Sequence, residues 1–251
     1  MRDDKFFLST EGGFIMNTIL FDLDGTLLPM NTDAFARAYF NEIACYFSDL
    51  IHGKELIAHI LGSTKAMVTN TEFKTNEEVF MEDFRTKVGS DIDLYKERFD
   101  SFYDTGFLNL KESIFQAPLM IKAVNIIKEK GYNMVVATNP QFPLKAILHR
   151  IKWAGLDPND FIYISSYEKN HYCKPQIKFY EEILKDIGKA PEECLMVGND
   201  VEEDLIAGEL GIKTYLIKDH IQNSNEKEVA CDIEGTYEDF YKFAEELPSI
   251  N

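Results

Sequence analysis

Asp22 and Asp24 stand two residues apart where the apolar run Ile19-Leu20-Phe21 gives way to Gly25. Side chains alternate along a strand, so positions i and i+2 point to one side, and glycine lets the backbone turn sharply after them. The pair is therefore expected at the carboxyl end of a strand, where open α/β sheets bind their ligands. Like charges this close repel, and a cation, a shared proton or solvent must relieve them. Two readings stand on these residues alone: a reactive pair, or an acidic turn exposed after an edge strand.

Other apolar runs also end in polar groups. Thr138-Asn139-Pro140 offers a hydroxyl, an amide and free backbone N–H groups, although local capping bonds would explain it equally well. Gly198-Asn199-Asp200 is followed one helical turn later by Asp204. Carboxylates at that spacing can face one site, and Mg²⁺ prefers such oxygen ligands; acids at a helix start also suit its dipole. Lys174-Pro175 lies just before a helical pattern, and a proline in the first turn would fix where the lysine points.

The elements that must position these groups follow from periodicity. The apolar stretch Ile19-Leu20-Phe21 reads as the first strand. From Thr32 the period changes to that of a helix: Phe35, Tyr39, Ile43 and Phe47 step along one face, with Thr32 or Asp33 as N-cap. Further helical patterns cover 54–61, 77–88, with Asn76 as N-cap, and 91–103. The aromatic stripe of this module reads as core. After Pro118 helices (119–130, 143–154, 176–187, 203–210) alternate with strands (133–137, 161–165, 194–197, 213–217). Gly131, Gly155, Gly188 and Gly211 fall at helix ends. This grammar predicts an α/β fold, a doubly wound parallel sheet with an all-helical module inserted after its first strand. The expected division is an N-terminal extension over 1–15, a core over 16–30 and 113–251, and a helical domain over 31–112. Either Met1 or Met16 can start the chain.

Composition narrows the function. The 251 residues carry a formal net charge of −17, which argues against nucleic acid and requires local cations for any anionic substrate. Hydrophobic residues make up 45% and charged residues 27%, as in ordinary globular domains. The four cysteines show no metal-site spacing and suggest a reducing compartment. With no apolar run near the roughly 18 residues of a membrane helix and no signal-peptide pattern, a cytoplasmic protein without a membrane partner is expected. A monomer is the default, a homodimer the alternative.

Asp22-Leu23-Asp24-Gly25-Thr26, Thr138-Asn139, Lys174-Pro175 and Gly198-Asn199-Asp200 with Asp204 together resemble, in order, the four motifs of the haloacid dehalogenase-like hydrolase superfamily. The resemblance implies a Rossmann-like core with a helical cap between the first two motifs. It implies Asp22 as nucleophile and Asp24 as general acid/base, with Thr138, Asn139 and Lys174 around the phosphate. It further implies Mg²⁺ held by Asp22, the backbone carbonyl of Asp24 and an acid of the last motif. Asn199 departs from the aspartate common after that glycine; Asp200 is preferred as ligand for its charge, with Asn199 and Asp204 as alternative or supporting groups. Since true dehalogenases of the superfamily lack the second acid, Asp24 favours phosphoryl transfer.

The expected activity is a Mg²⁺-dependent phosphatase acting on a small phosphorylated metabolite through an aspartyl phosphate. A phosphomutase of the same superfamily and a non-catalytic phosphate-binding protein are the alternatives. Candidate substrate contacts in the helical module are Lys54, His52, His59, Arg85 and Arg98, and Cys173 beside Lys174 is a candidate redox-sensitive thiol.

Overall fold

In a computed structural model, residues 16–250 are described; the expectations for residues 1–15 lie outside them. Six short strands form one parallel sheet: β1 (Thr18–Phe21), β2 (Asn133–Val136), β3 (Tyr163–Ile164), β4 (Cys194–Gly198), β5 (Lys213–Ile217) and β6 (Ile233–Gly235). Their order is β3-β2-β1-β4-β5-β6. Strand β1 is central, with Phe21 opposite Val136 on one side and Val197 on the other. All four of its residues are buried, which is why this strand reads as a continuous apolar run.

Helices cover both faces of the sheet. Ile19 and Phe21 face the side of α5 (Pro118–Glu129) and α8 (Tyr237–Glu246), where they join Ile127 and Phe240. Leu20, Val135 and Met196 face the other way, against Phe179 and Ile183 of α7 (Ile177–Ile187). Helix α6 (Leu144–Trp153) contributes Ile147 and Ile151 to the first side. The doubly wound Rossmann-like arrangement expected from the alternation is the one observed.

Between β1 and α5 the only regular elements among the described residues are helical: α1 (Thr32–Tyr46), α2 (Gly53–Val68), α3 (Asn76–Val88), α4 (Ile92–Asp104) and 3-10 segments including Gly106–Ser113. Phe47, Phe84, Phe99 and Phe102 fill its interior. Phe107 stacks on Trp153 of α6 at 5.4 Å between ring centroids, so the helical region packs against the sheet region directly. It also touches the loop before α7, where Gln176 Nε2 donates to the Val68 carbonyl at 2.8 Å. No helix among the described residues is long and apolar enough to cross a membrane.

Several boundaries differ from expectation for local reasons. Asn31, not Thr32 or Asp33, caps α1 by accepting from the Ala34 N–H. Thr75, not Asn76, caps α3, in a reciprocal capping box with Glu78. Asn76 is buried, its N–H donating to the Asn170 carbonyl at 2.8 Å. Helix α2 runs on to Val68, well past 61. Pro175 lies before the α7 N-cap, Gln176, rather than in the first turn. The expected 203–210 helix is a 3-10 segment, Leu205–Leu210. Strand β6 and α8 were not anticipated: β6 has three residues and only one is buried, too little for an apolar signal.

Candidate active site

Asp22 follows β1 directly and remains tied into the sheet, its N–H donating to the Val197 carbonyl at 2.9 Å. The chain then folds into a tight loop in which the Leu28 N–H reaches back to the Leu23 carbonyl at 2.8 Å. Gly25 makes this turn at φ +91°, and a Cβ there would sit 2.4 Å from Asn199 Nδ2. Any other residue would be both strained and in collision.

The Asn199 amide is occupied in holding that loop. Its Oδ1 accepts from the Thr26 hydroxyl at 2.9 Å and its Nδ2 donates to the His220 carbonyl at 2.7 Å. Asp200 is the neighbouring carboxylate on the cavity wall, and its Oδ1 accepts from the N–H groups of Glu202 and Glu203, both at 2.8 Å. Asp204 packs against the end of β4, where a Cβ on Gly198 would meet Asp204 Oδ2 at 2.1 Å. That same oxygen accepts from the Asp200 N–H at 2.9 Å.

Lys174 joins the two acidic motifs. Its ammonium, with no exposed side-chain surface, donates to Asp22 Oδ1 at 3.0 Å and to Asp204 Oδ1 at 2.6 Å. Burial pulls its pKa down, but Asp204 and Asp22 together push it well above the ordinary lysine value, so the ammonium stays charged. Burial raises the Asp22 carboxyl well above the usual carboxylate range, with Lys174 opposing and Asp204 and Asp24 reinforcing the rise. Burial likewise raises Asp200 and pushes Glu203 up to about 7. The common cause is a set of partly desolvated acids with too few countercharges.

These groups surround one cavity of about 300 Å³, lined by Asp22, Asp24, Thr138, Asn139, Asp200 and Asp204 among others. Thr138 is buried at the end of β2, its carbonyl accepting from the Ser165 hydroxyl at 2.6 Å. The Asn139 amide donates to Glu203 Oε1 at 2.9 Å, tying the second motif to the fourth. Its Oδ1 is buried with no partner among the described residues. Every residue singled out in the four motifs thus lines this cavity or, in the case of Lys174, stands behind its carboxylates.

Oxygen-only donors with surplus negative charge suit a hard divalent cation. The raised Asp22 carboxyl is the electrostatic deficit that such a cation would fill. No three His, Cys, Asp or Glu side chains among the described residues form a ready metal cluster. A set of two carboxylates and one backbone carbonyl does not require one.

Two site residues escaped sequence reasoning. Arg150 of α6 is fully buried, and its Nη1 donates to Asp24 Oδ2. Its guanidinium also lies over the Phe142 ring, 4.6 Å from the centroid. Asp24 Oδ1 is buried without a partner among the described residues. One oxygen of Asp24 is therefore anchored and the other buried and unpaired. Glu203 is the second; its place immediately before Asp204 was the available signal.

The proposed contacts from the helical module lie elsewhere. Arg98 pairs with Asp49 at 2.7 Å, His52 caps α2, and His59 stands 3.7 Å from Glu55. Neither Lys54 nor Arg85 lines this cavity. Cys173 is buried, and burial pushes its thiol well above the ordinary value, a setting that disfavours the thiolate a redox-sensitive cysteine needs.

The sequence model of the haloacid dehalogenase-like hydrolases matches residues 16–211. The chain belongs to this family. Among haloacid dehalogenase-like relatives it is 23% identical to pyrophosphatase PpaX of Bacillus pumilus, covering 79% of this chain and 82% of that one. In structure it is similar to a HAD phosphatase from Thermococcus onnurineus, with a TM-score of 0.60 at 20% identity, covering 94% of this chain and all of that one. An L-2-haloacid dehalogenase from Xanthobacter autotrophicus superposes with a TM-score of 0.54 at 13% identity, covering 92% and 99%. Since members with different chemistry share the fold, the reaction must be argued from the site.

Proposed function

We propose that the protein is a Mg²⁺-dependent phosphatase that hydrolyses a small phosphate monoester through an aspartyl phosphate on Asp22. The observation that carries this reading is the pair of acids at the end of β1, with Asp22 held by the buried Lys174 ammonium at 3.0 Å and Asp24 held by Arg150. Asp22 is fixed by the sheet and by Lys174, as in-line attack on phosphorus requires. Lys174 offsets the charge that would otherwise make a carboxylate a poor partner for a phosphate dianion.

Asp24 supplies the proton. With Oδ2 anchored by Arg150, the unpaired Oδ1 protonates the leaving oxygen as the bond to phosphorus breaks. The same oxygen then accepts a proton from the water that hydrolyses the aspartyl phosphate. Thr138 and the amides after it would hold phosphate oxygens, with Asn139 fixed to Glu203 so that this turn keeps its shape. Mg²⁺ would be held by Asp22, the Asp24 carbonyl and Asp200, and would supply positive charge to offset that of the phosphoryl group. The occupied Asn199 amide favours Asp200 as ligand and accounts for the asparagine as a loop-holding residue.

The helical region over 31–112 is assigned as a cap domain beside the sheet core of 16–30 and 113–251, with the leaving group held between them. The test is Asp22→Asn. It should abolish Mg²⁺-dependent hydrolysis of an aryl phosphate while circular dichroism and melting temperature stay close to wild type; retained turnover would overturn the assignment.

A further inference from the structure

A second cavity of about 300 Å³ opens beside the first, and Asp24, Thr32, Gln141 and Phe142 line both. Its other walls are chiefly aromatic and aliphatic: Phe35, Tyr39, Phe80, Phe99, Tyr103 and, at the rim, Leu61. Of the described residues that line it, Asp24 is the only Asp, Glu, Lys, Arg or His. Its other polar side chains are those of Thr32, Thr64, Gln141 and three tyrosines, of which Tyr39 and Tyr103 share one hydrogen bond between their hydroxyls at 3.0 Å and Tyr167 is the third.

Resting on the phosphatase reading above, we propose that this cavity takes the leaving-group half of the substrate, and that this half is an uncharged, largely apolar ring system. The geometry makes the two cavities one site: a phosphoryl group at Asp22 would place its ester oxygen beside Asp24, and the rest of the molecule would extend past Phe142 between α1, α2 and α4. A volume near 300 Å³ is that of a small-ligand pocket, and one or two fused rings fit it. Edge-to-face contacts are available from the walls, where Tyr39 already meets Phe142 at 5.4 Å and 81°.

Charge excludes the alternative. A leaving group bearing a carboxylate or a second phosphate would exchange water for aromatic walls without gaining a cation, a transfer that is costly for any unpaired ion. The buried Arg150 donates through Nη1 to Asp24 and keeps an Nη2 without a partner among the described residues, but it is not among the residues that line this cavity. The name of the pyrophosphatase relatives describes a substrate whose leaving group is itself an anion, and this cavity offers such a group no partner.

The test compares kcat/KM with Mg²⁺ for 1-naphthyl phosphate and for carboxyphenyl phosphate, a pair chosen with matched leaving-group pKa, alongside pyrophosphate and 2-phosphoglycolate. The naphthyl ester should lead each charged substrate by at least about 100-fold. Leu61→Lys, at an exposed rim position that tolerates the change, should narrow the naphthyl to carboxyphenyl ratio by about tenfold. Equal or reversed preference in the wild type overturns the inference while leaving the phosphatase reading intact, since turnover persists. Turnover of none of the four overturns both. An unchanged ratio in Leu61→Lys, with folding verified by melting temperature, counts against this cavity as the leaving-group site.

Discussion

The two cavities that meet at Asp24 are alike in volume and opposite in chemistry. One is walled by carboxylates and polar strand ends, the other by rings. The polar half is built on the sheet, where Asp22 follows the central strand and Lys174 and Asp204 are buried against it. Its precision comes from rigid elements and from ion pairs with almost no solvent access. The apolar half is built mainly on helices inserted between β1 and α5, where side-chain shape can change without touching the acids. On the proposed reading, chemistry and selectivity are placed on different parts of the chain, with Asp24 and its anchor Arg150 at the boundary.

The comparison can be broken first on the polar side. Lys174→Met should reduce kcat by three orders of magnitude or more, and it leaves Asp22 and Asp204 buried without a countercharge. A loss of about 3 kcal/mol or more in stability is expected, measured by urea denaturation. Activity near wild type would show that the ammonium is not needed beside the nucleophile. At the boundary, Arg150→Met keeps most of the buried volume but frees Asp24 Oδ2; kcat should fall by roughly 100-fold with a smaller change in KM, within the range expected of a misplaced general acid. A KM effect alone would place Arg150 in substrate binding instead.

On the apolar side the expected effects are smaller and of a different kind. The ratio of charged to uncharged ester turnover should move with substitutions such as Leu61→Lys, while Mg²⁺ dependence stays the same. Smallest of all, Thr75→Ala removes the capping box of α3 and should cost about 1 kcal/mol of stability with little change in kcat. A large kcat loss there would mean that the helical region does more than shape the leaving-group site.

Much of the polar half was legible because its residues carry their own local signals. Asp22 and Asp24 fall at the break between an apolar run and a glycine, and Asp200 and Asp204 stand one helical turn apart. The doubly wound parallel sheet follows from the same alternation of buried strands and helices, whereas its strand order does not. Arg150 was not legible, since it looks like any basic residue in the last turn of an amphipathic helix; only the fold brings it to Asp24, 126 positions away. The aromatic stripe was read as core, and that is correct for Phe47 and Phe84. Tyr39 and Phe99 belong to the same stripe, yet they also border a cavity, because α1 and α4 stop short of filling the space above Phe142. Periodicity reports which face is buried and says nothing of whether the burial leaves a void.

The central claim is that Asp22 forms a covalent bond to phosphorus. The direct measurement is acid quench of the enzyme during Mg²⁺-dependent turnover, followed by mass spectrometry of the peptide that carries Asp22. A single phosphoryl group on Asp22, absent without Mg²⁺ and absent in Asp22→Asn, is the predicted result. Sustained turnover with the phosphoryl group on another residue would contradict the account.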